Sequence, residues 1–372
     1  MRAVFAVIAL FSFPAWAAQR TFVASNGNDA NPCTRDMPCR SFAVAIALTN
    51  ANGEVVAIDS AGYGSLTVMK AVTIVAPLGV HAGISVFSGD GVTISAASND
   101  VVVLRNLYIN SQGGLNGITL NSAASLHIEH CVVNGFASNN INLVPTTLAT
   151  VMISDTVSRQ SVDGSGIYAG STAGAGGPAA VSIDHCLLAL NGGDGVAADW
   201  ATVTIRDTTA AQNRYEGFEA RGSGGTTKMN IESSVASTNG YDGIRVRNGQ
   251  VTAHNTTSHG NINNGFLADL GTAKLAIDHC IASSNDQGIF SEGGADISVS
   301  NSTMADNSNS GAAVYGGTYT TSMLRLTRNT ITRNPVGIYQ GNVSTVQSLG
   351  DNLVKGNPTA DVQGTITVVG GT

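Results

Sequence analysis

Asn191-Gly-Gly-Asp-Gly-Val-Ala-Ala-Asp-Trp-Ala-Thr-Val-Thr-Ile-Arg-Asp-Thr-Thr-Ala-Ala-Gln-Asn213 is one copy of a pattern that recurs along most of this 372-residue chain. It contains a polar residue and a glycine, an apolar alternation, a second alternation on Val203 and Ile205, a third short apolar element and a closing asparagine. The glycine returns at Gly117, Gly166, Gly195, Gly217, Gly243, Gly265, Gly288, Gly311 and Gly337, with Asn140 in the one gap, at intervals of 22 to 29 residues. A fixed period of this length marks stacked turns, each too small to bury its apolar face alone. The length therefore describes one elongated solenoid and not two or three separate cores.

Aligning the copies on the glycine gives columns. The first position after it reads Ile118, Ile141, Ile167, Val196, Phe218, Ile244, Phe266, Ile289, Ala312 and Ile338, and the third reads Leu120, Leu143, Ala169, Ala198, Ala220, Val246, Ala268 and Ser291. Polar positions lie between, the period-two signature of a strand with one buried face. A second strand follows with pairs such as Leu126/Ile128, Val151/Ile153, Val181/Ile183 and Leu275/Ile277, and a third with Leu187-Leu188 or Ile281-Ala282. Three short strands per turn predict an all-β, single-stranded parallel β-helix. Asn191, Asn213, Asn239, Asn261, Asn285, Asn307 and Asn334 close the turns. They are expected to take the left-handed corner conformation and to bond to each other up the stack. Longer spacers at Gly170 to Pro178 and Gly222 to Thr227 predict loops on one side.

Composition agrees with short strands and tight turns: 5% aromatic residues, 12% charged and 44 glycines. Met1 to Ala17 reads as a secretory signal, with Arg2, the apolar run Ala3 to Phe13 and the small-residue site Ala15-Trp16-Ala17. Its removal moves the net charge from −7 to −8. That balance argues against nucleic-acid binding and against an anionic membrane surface, and no apolar run reaches spanning length. The expected location is secreted, periplasmic or at the cell surface. Cys33 and Cys39 enclose a short loop that an oxidising compartment should close as a disulfide. Cys131, Cys186 and Cys280 share one column, with Thr156 between the first two, so those sulfurs should stand two rungs, roughly 9 to 10 Å, apart and remain free and buried.

Weaker copies precede the main array: Glu54 to Ile58, Leu66 to Val68, Val72 to Val75, Gly83 to Val86, Val92 to Ile94 and Val101 to Ile109. Ser41 to Thr49 predicts a short N-terminal helix capping the open end, which would otherwise offer strand edges to other chains. The expected organisation is a signal over 1–17, a cap with disulfide loop and helix over 18–53, and the β-helix over 54–372. The C-terminus lacks an equally clear cap, which leaves self-association through that edge open.

Glycine-Ile starts, Val-x-Ile second strands, asparagine corners and the Phe42 to Tyr63 segment (Phe-Ala-x-Ala-Ile…Gly-x-Tyr) resemble the right-handed parallel β-helix proteins of the pectin lyase-like superfamily. The resemblance covers nearly the whole chain after residue 17. It implies secretion and dealings with acidic polysaccharides, in a group that includes lyases, hydrolases, epimerases, tailspikes and non-enzymatic surface proteins, so fold alone cannot select an activity. A leucine-rich repeat shares the period, but these columns hold Ile, Val, Ala and Thr.

Outward residues of the first strand stack about 4.8 Å apart. The position before the glycine places Asp194, Glu216 and Asp242 in successive turns; the second position after it sets Glu219 beside Arg245; the fourth runs Asp199, Arg221, Arg247, Asp269 and Glu292. Tyr168, Trp200, Tyr215, Phe290 and Tyr339 flank this face. In one reading Asp194, Glu216 and Asp242 hold Ca²⁺. Sugar carboxylates then meet Arg221, Arg245 and Arg247, one of which serves as the base of a β-eliminating polysaccharide lyase, as the resemblance implies. In another the face binds an acidic polysaccharide without catalysis. In a third the charges merely compensate each other on a structural or adhesive surface protein. His130, Asp155, His185 and Asp207, with His279 further on, form a second column, suited to mutual hydrogen bonding more than to Zn²⁺. His254 and His259 share a turn. Ser258-His259-Gly260 is similar to the histidine-glycine element of polygalacturonases, but the Asn-Thr-Asp, Asp-Asp and Arg-Ile-Lys elements are absent, as is the Asp-Pro-His-Glu element of alginate epimerases.

Overall fold

A computed structural model describes residues 18–170, 179–222, 226–318 and 320–370. The expected signal segment, and residues 171–178 and 223–225 of the two long spacers, lie outside them. The described chain winds through three parallel sheets, one of 15 strands and two of 13. One 13-stranded sheet carries the residues that follow each repeat glycine and is termed here the glycine sheet. The chain then crosses to the 15-stranded long sheet, on to the third sheet, and back. Every third strand is hydrogen-bonded to its predecessor, as a coil of three strands per turn requires.

The predicted register is the observed one. Ile118, Ile141, Ile167, Val196, Phe218, Ile244, Phe266, Ile289, Ala312 and Ile338 are consecutive partners in the glycine sheet. All ten are buried in one continuous core. Alternation sends these side chains inward and their neighbours outward, so outward residues of successive turns are also stacked. This is what assembles residues 22 to 29 apart in sequence into one face.

The repeat glycines follow from close packing. A Cβ on Gly217 would lie 2.6 Å from the Gly243 carbonyl oxygen and 2.9 Å from Asn239 Nδ2. No positive φ is involved there; the next turn simply leaves no room. The asparagine ladder behaves as expected in its bonding. Asn213 Nδ2 donates to Asn239 Oδ1 at 3.0 Å, Asn239 to Asn261 at 2.9 Å and Asn261 to Asn285 at 3.0 Å, with each backbone N–H also donating to the next amide. The expected left-handed asparagine is corrected, however. The left-handed residue is the one before it, as at Leu190, Gln212, Thr238, Ser284 and Arg333, with φ between 52° and 59°. That residue turns the corner in solvent, which frees the asparagine to point inward and ladder.

At the N-terminal end the helix spans Phe42–Leu48, with Ser41 Oγ accepting from Val44 N–H and Phe42, Ala45 and Ile46 buried. It has company that the sequence reading missed: Ala18–Val23 forms the first strand of the long sheet, parallel to Thr49–Ala57. The alternation of buried Thr21 and Val23 with more exposed neighbours was the available signal. Cys33 and Cys39 are disulfide-bonded, their Cα atoms 4.7 Å apart. Cys131, Cys186 and Cys280 are free and buried. Thr156 lies between the first two, its hydroxyl accepting from the Cys131 N–H at 3.3 Å. Burial pushes the Cys131 thiol up to about 12 and those of Cys186 and Cys280 up to about 11, so all three are inert core residues. Among the described residues no helix is long and apolar enough to cross a membrane. The last described rung, Ala360–Gln363 and Ile366–Val368, pairs with the preceding turn.

Candidate functional site: a charged and aromatic ladder on the glycine sheet

The outward face of the glycine sheet collects the charged residues predicted to meet there, at a depth the sequence did not reveal. Asp194, Glu219 and Asp242 are at most 1% exposed, Glu216 is 4% exposed and Asp269 8%. Burying five carboxylates is affordable only with countercharge, and three guanidiniums supply it. Arg221 Nη2 lies 2.7 Å from Asp194 Oδ2, and its Nε bonds to Glu219. Arg245 bridges three turns, with Nη1 2.9 Å from Glu216 and Nη2 2.6 Å from Asp269; Asp242 stands 4.0 Å from Nη1. Arg247 Nε approaches Glu219 Oε1 at 3.0 Å, but the two are misaligned, and neither atom has a hydrogen-bond partner.

Three positive charges against five carboxylates leave an excess of negative charge, which together with burial opposes ionisation of the acids. Burial, reinforced by Glu216 and Glu219, holds Asp194 well above the usual carboxylate range. Burial likewise raises Glu219 and pushes Asp242 up to about 6. Their carboxylate neighbours hold the Arg221 and Arg245 guanidiniums still more firmly charged than usual, against the desolvation that opposes it. A guanidinium so held is a fixed cation and a poor base.

The three residues predicted to ligate Ca²⁺ do not converge as a set. Asp194, Glu216 and Glu219 bring oxygens within 4.8 Å of one another. Asp242 turns aside, its Oδ1 accepting from both the backbone and side-chain nitrogens of Asn264 at 3.0 and 2.8 Å. Oxygen-rich as it is, the cluster does not fit Ca²⁺. Arg221 and Arg245 already stand where the ion's charge would act, and burial leaves no space for the six to eight oxygen ligands that ion takes.

Around this charged centre the face is half-open. Arg221 and Arg247 side chains are 37% and 42% exposed, whereas Arg245 is 18% exposed. Tyr168 precedes Ala197 and Glu219 in the outward row. Burial first, and Asp199 second, raises its phenol. Asp199 pairs with Arg221 in register, and Trp200 beside it takes the corner at φ 56°, its N–H donating to Thr227 Oγ1. Glu292, raised by burial and by Asp269, lies one turn beyond Asp269. Downstream the charges give way to rings: Phe290, Tyr315 and Tyr339 form a continuous row with centroids 5.6 and 5.0 Å apart. Tyr315 was missed because it occupies the fourth, not the second, position after its glycine; the recurrence of aromatics in three consecutive turns was the signal. Tyr215 pairs with Tyr241 on the opposite flank at 5.5 Å.

The histidine column lies far from this face, at the corner between the long and third sheets, where His130, Asp155, His185, Asp207 and His279 all have φ between 43° and 53°. Its members do not hydrogen-bond along the column as expected. His130 and Asp155 approach only to 3.7 Å, and His185 and Asp207 to 4.0 Å. His185 Nδ1 bonds instead to Asp184 in its own turn, 2.9 Å away. The spacing itself permits a bond, since Asn255 Nδ2 donates to Ser233 Oγ at 3.2 Å in the same column; the imidazole of His185 turns instead to the acid beside it. His259 stands apart on the third sheet, and His254 pairs with Asp278 in the next turn.

Comparison with known proteins agrees with this architecture. The family described as the right-handed beta helix region matches residues 165–322 and, overlapping, 199–357, together more than half of the chain. The periplasmic alginate epimerase AlgG has a similar fold, with 8% identity, TM-score 0.52, and 83% of this chain aligned to 77% of that one. The A-module of the mannuronan C-5 epimerase AlgE4 from Azotobacter vinelandii also resembles it, with 15% identity, TM-score 0.52, and coverage of 86% and 91%. No curated protein sequence matches the chain. Stacked three-strand turns, the inward asparagine ladder and the family match lead to one conclusion: the chain belongs to the family of the right-handed beta helix region.

Proposed function

We propose that this is an exported protein, secreted, periplasmic or at the cell surface, that binds an acidic polysaccharide along the outward face of the glycine sheet. The observation that carries the reading is the pairing of two half-exposed guanidiniums, Arg221 and Arg247, on one buried carboxylate, Glu219. The buried carboxylate hydrogen-bonds Arg221 and attracts Arg247 by charge alone, and both guanidiniums remain partly open to an incoming carboxylate. Tyr168 and Trp200 flank them. The row Phe290, Tyr315 and Tyr339 continues the same face with apolar rings suited to sugar faces. A chain polymer fits a ladder whose binding elements repeat along one axis. Alginate and mannuronan are the first probes, since proteins of similar fold are named for acting on them.

The test is binding of these polymers, and of a neutral glucan, by affinity electrophoresis or calorimetry. Wild type should retain the acidic polymers only. Arg247→Gln and Tyr315→Ala/Tyr339→Ala should each weaken retention at least about tenfold, the loss of roughly 1.4 kcal/mol. Equal retention of the neutral glucan, or unchanged retention by both variants, sinks the proposal. A lyase on this face is the second reading. Its candidate bases are Arg221, Arg245 and Arg247; the carboxylates paired with Arg221 and Arg245 hold those two charged more firmly and so favour Arg247. Incubation with polyuronates, following absorbance of the unsaturated product, distinguishes turnover from binding.

A further inference from the structure

The sequence Ile-acid-His-Cys occurs three times, at Ile128-Glu129-His130-Cys131, Ile183-Asp184-His185-Cys186 and Ile277-Asp278-His279-Cys280. In the third copy a second histidine, His254, is brought over the acid by the long-sheet register, which pairs His254 with Asp278. His254 Nδ1 lies 3.2 Å from Asp278 Oδ2, and His279 Nδ1 lies 2.8 Å from the same oxygen. The rings meet edge-on with centroids 5.4 Å apart. Three donor atoms thus converge on one point, all within 4.8 Å of each other. We propose that His254, Asp278 and His279 form a site for a divalent transition ion of the Zn²⁺ class, on the corner opposite the polysaccharide face.

Three features favour an ion over mere hydrogen bonding. First, both imidazoles present the same nitrogen to the same oxygen, so either each brings a hydrogen to it or the three atoms share a cation. Nδ1 ligation leaves both Nε2 atoms free to face water, and the histidines are more than half exposed. Second, the carboxylate is held by its other oxygen. Asp278 Oδ1 accepts from Ser300 Oγ at 2.6 Å and Asn301 Nδ2 at 2.7 Å, the kind of outer support that fixes a metal-ligating carboxylate. Third, His279 occupies a left-handed corner whose neighbours in the adjacent turns are Asn255 and Asn301, both at φ 48°. Asparagine satisfies the backbone there, so imidazole is not needed for the turn.

The donor set of two nitrogens and one oxygen suits Zn²⁺, Co²⁺ or Ni²⁺ and not Ca²⁺, and solvent would complete the coordination. The second copy is a weaker rival: Asp184 faces Nδ1 and Asp207 faces Nε2 of a single ring, and opposite edges of one imidazole cannot serve one ion. Cys280 is no ligand either, since its Sγ points into the core toward the Ala253 and Asp278 carbonyls. An ion at the site would join one turn to the next and so clip two rungs together.

The test is titration of the full chain, free of any polyhistidine tag and stripped with a chelator, with Zn²⁺ by calorimetry and with Co²⁺ by visible absorption. Wild type should bind one equivalent, develop a Co²⁺ spectrum and gain thermal stability on Zn²⁺ addition. His254→Gln/His279→Asn, chosen so that the corner keeps a residue at ease with positive φ, should weaken binding at least about tenfold, as should Asp278→Asn. His185→Asn should leave it unchanged. The assignment is overturned if wild type shows no saturable binding, if the double variant binds like wild type, if His185→Asn abolishes binding, or if equimolar Ca²⁺ displaces Co²⁺. Circular dichroism of each variant separates a lost ligand from a lost fold.

Discussion

The asparagine corner and the charged face are built by the same operation, one side chain placed over its counterpart in the next turn, yet they solve opposite problems. An amide carries both a donor and an acceptor. Asn213, Asn239 and Asn261 therefore chain indefinitely, each giving to the next and receiving from the last. A carboxylate only accepts. Asp194, Glu216 and Asp242 in the same kind of stack would repel, so guanidiniums must be threaded between them, and burial still raises Asp194 and Asp242 above the usual carboxylate range. A neutral ladder closes on itself and leaves nothing for a ligand. The charged one closes imperfectly, with Glu219 Oε1 and Asp269 Oδ1 lacking hydrogen-bond partners and two guanidiniums half in solvent. Function is looked for where stacking leaves residual bonding capacity.

Removing a threaded cation should have the largest effect on the charged ladder. Arg245→Ala strips Glu216 and Asp269 of their contacts at once. Stability should fall by about 3–5 kcal/mol, the usual penalty for orphaning buried charge, as measured by denaturant unfolding. Adding Glu216→Gln and Asp269→Asn should recover part of the loss, because no anion is then stranded. If the single variant loses under 1 kcal/mol, the carboxylates are better solvated than their burial implies.

Breaking the neutral ladder should cost somewhat less. Asn239→Ala removes an acceptor for the Asn213 backbone and side-chain nitrogens and a donor to the Ala210 carbonyl. An expected loss of about 2–4 kcal/mol follows from leaving buried polar groups unmatched. Asn239→Asp should be at least as damaging, since a carboxylate cannot donate onward to Asn261. If Asp proves neutral there, the distinction between amide and acid ladders collapses.

Proton retention on the charged face has a definite sign. Asp242 is pushed up to about 6 from its ordinary 3.8 when folded, chiefly by burial. As pH rises from 3.8 toward 6, the unfolded chain releases this proton first, so the native state binds more protons and stability falls; the loss is complete above about 6. Asp242→Asn keeps the acceptor that Asn264 uses and has no proton to lose. It should be more stable than wild type by about 1–3 kcal/mol at pH 8, with the advantage vanishing near pH 4. A variant that gains nothing at pH 8 would mean that Asp242 ionises without strain.

Register was legible because strand alternation has period two and one column of Ile, Val and Phe sufficed to phase it. Ile244 over Phe266 follows from aligning the copies on their glycines. The free cysteines followed from the same phasing. Depth was not legible: nothing in Glu219 or Asp194 distinguishes a solvated carboxylate from one covered by Arg221 and Arg247. Lateral pairing at corners was equally hidden. His185 was expected to bond up its column to Asp207 but bonds to Asp184, and His254 finds Asp278 only because the long sheet and the corner are read together. The edge strand Ala18–Val23 escaped because it falls outside the glycine period.

The smallest expected effect isolates the cause of the largest. Arg206 and Glu232 are register partners in adjacent turns of the long sheet, and Arg245 and Glu216 meet diagonally across adjacent turns of the glycine sheet; the first pair has Nε 3.5 Å from Oε2, but its side chains are 59% and 54% exposed. The chemistry of the two pairs is the same and so is the scaffold, whereas water screens one pair and not the other. Arg206→Ala should therefore change stability by less than about 0.5 kcal/mol, and 0.5 M salt should erase even that. If this exposed pair matters as much as the covered one, burial is not what gives the charged face its energy. The anchoring role assigned to Glu219 would then lose its physical basis.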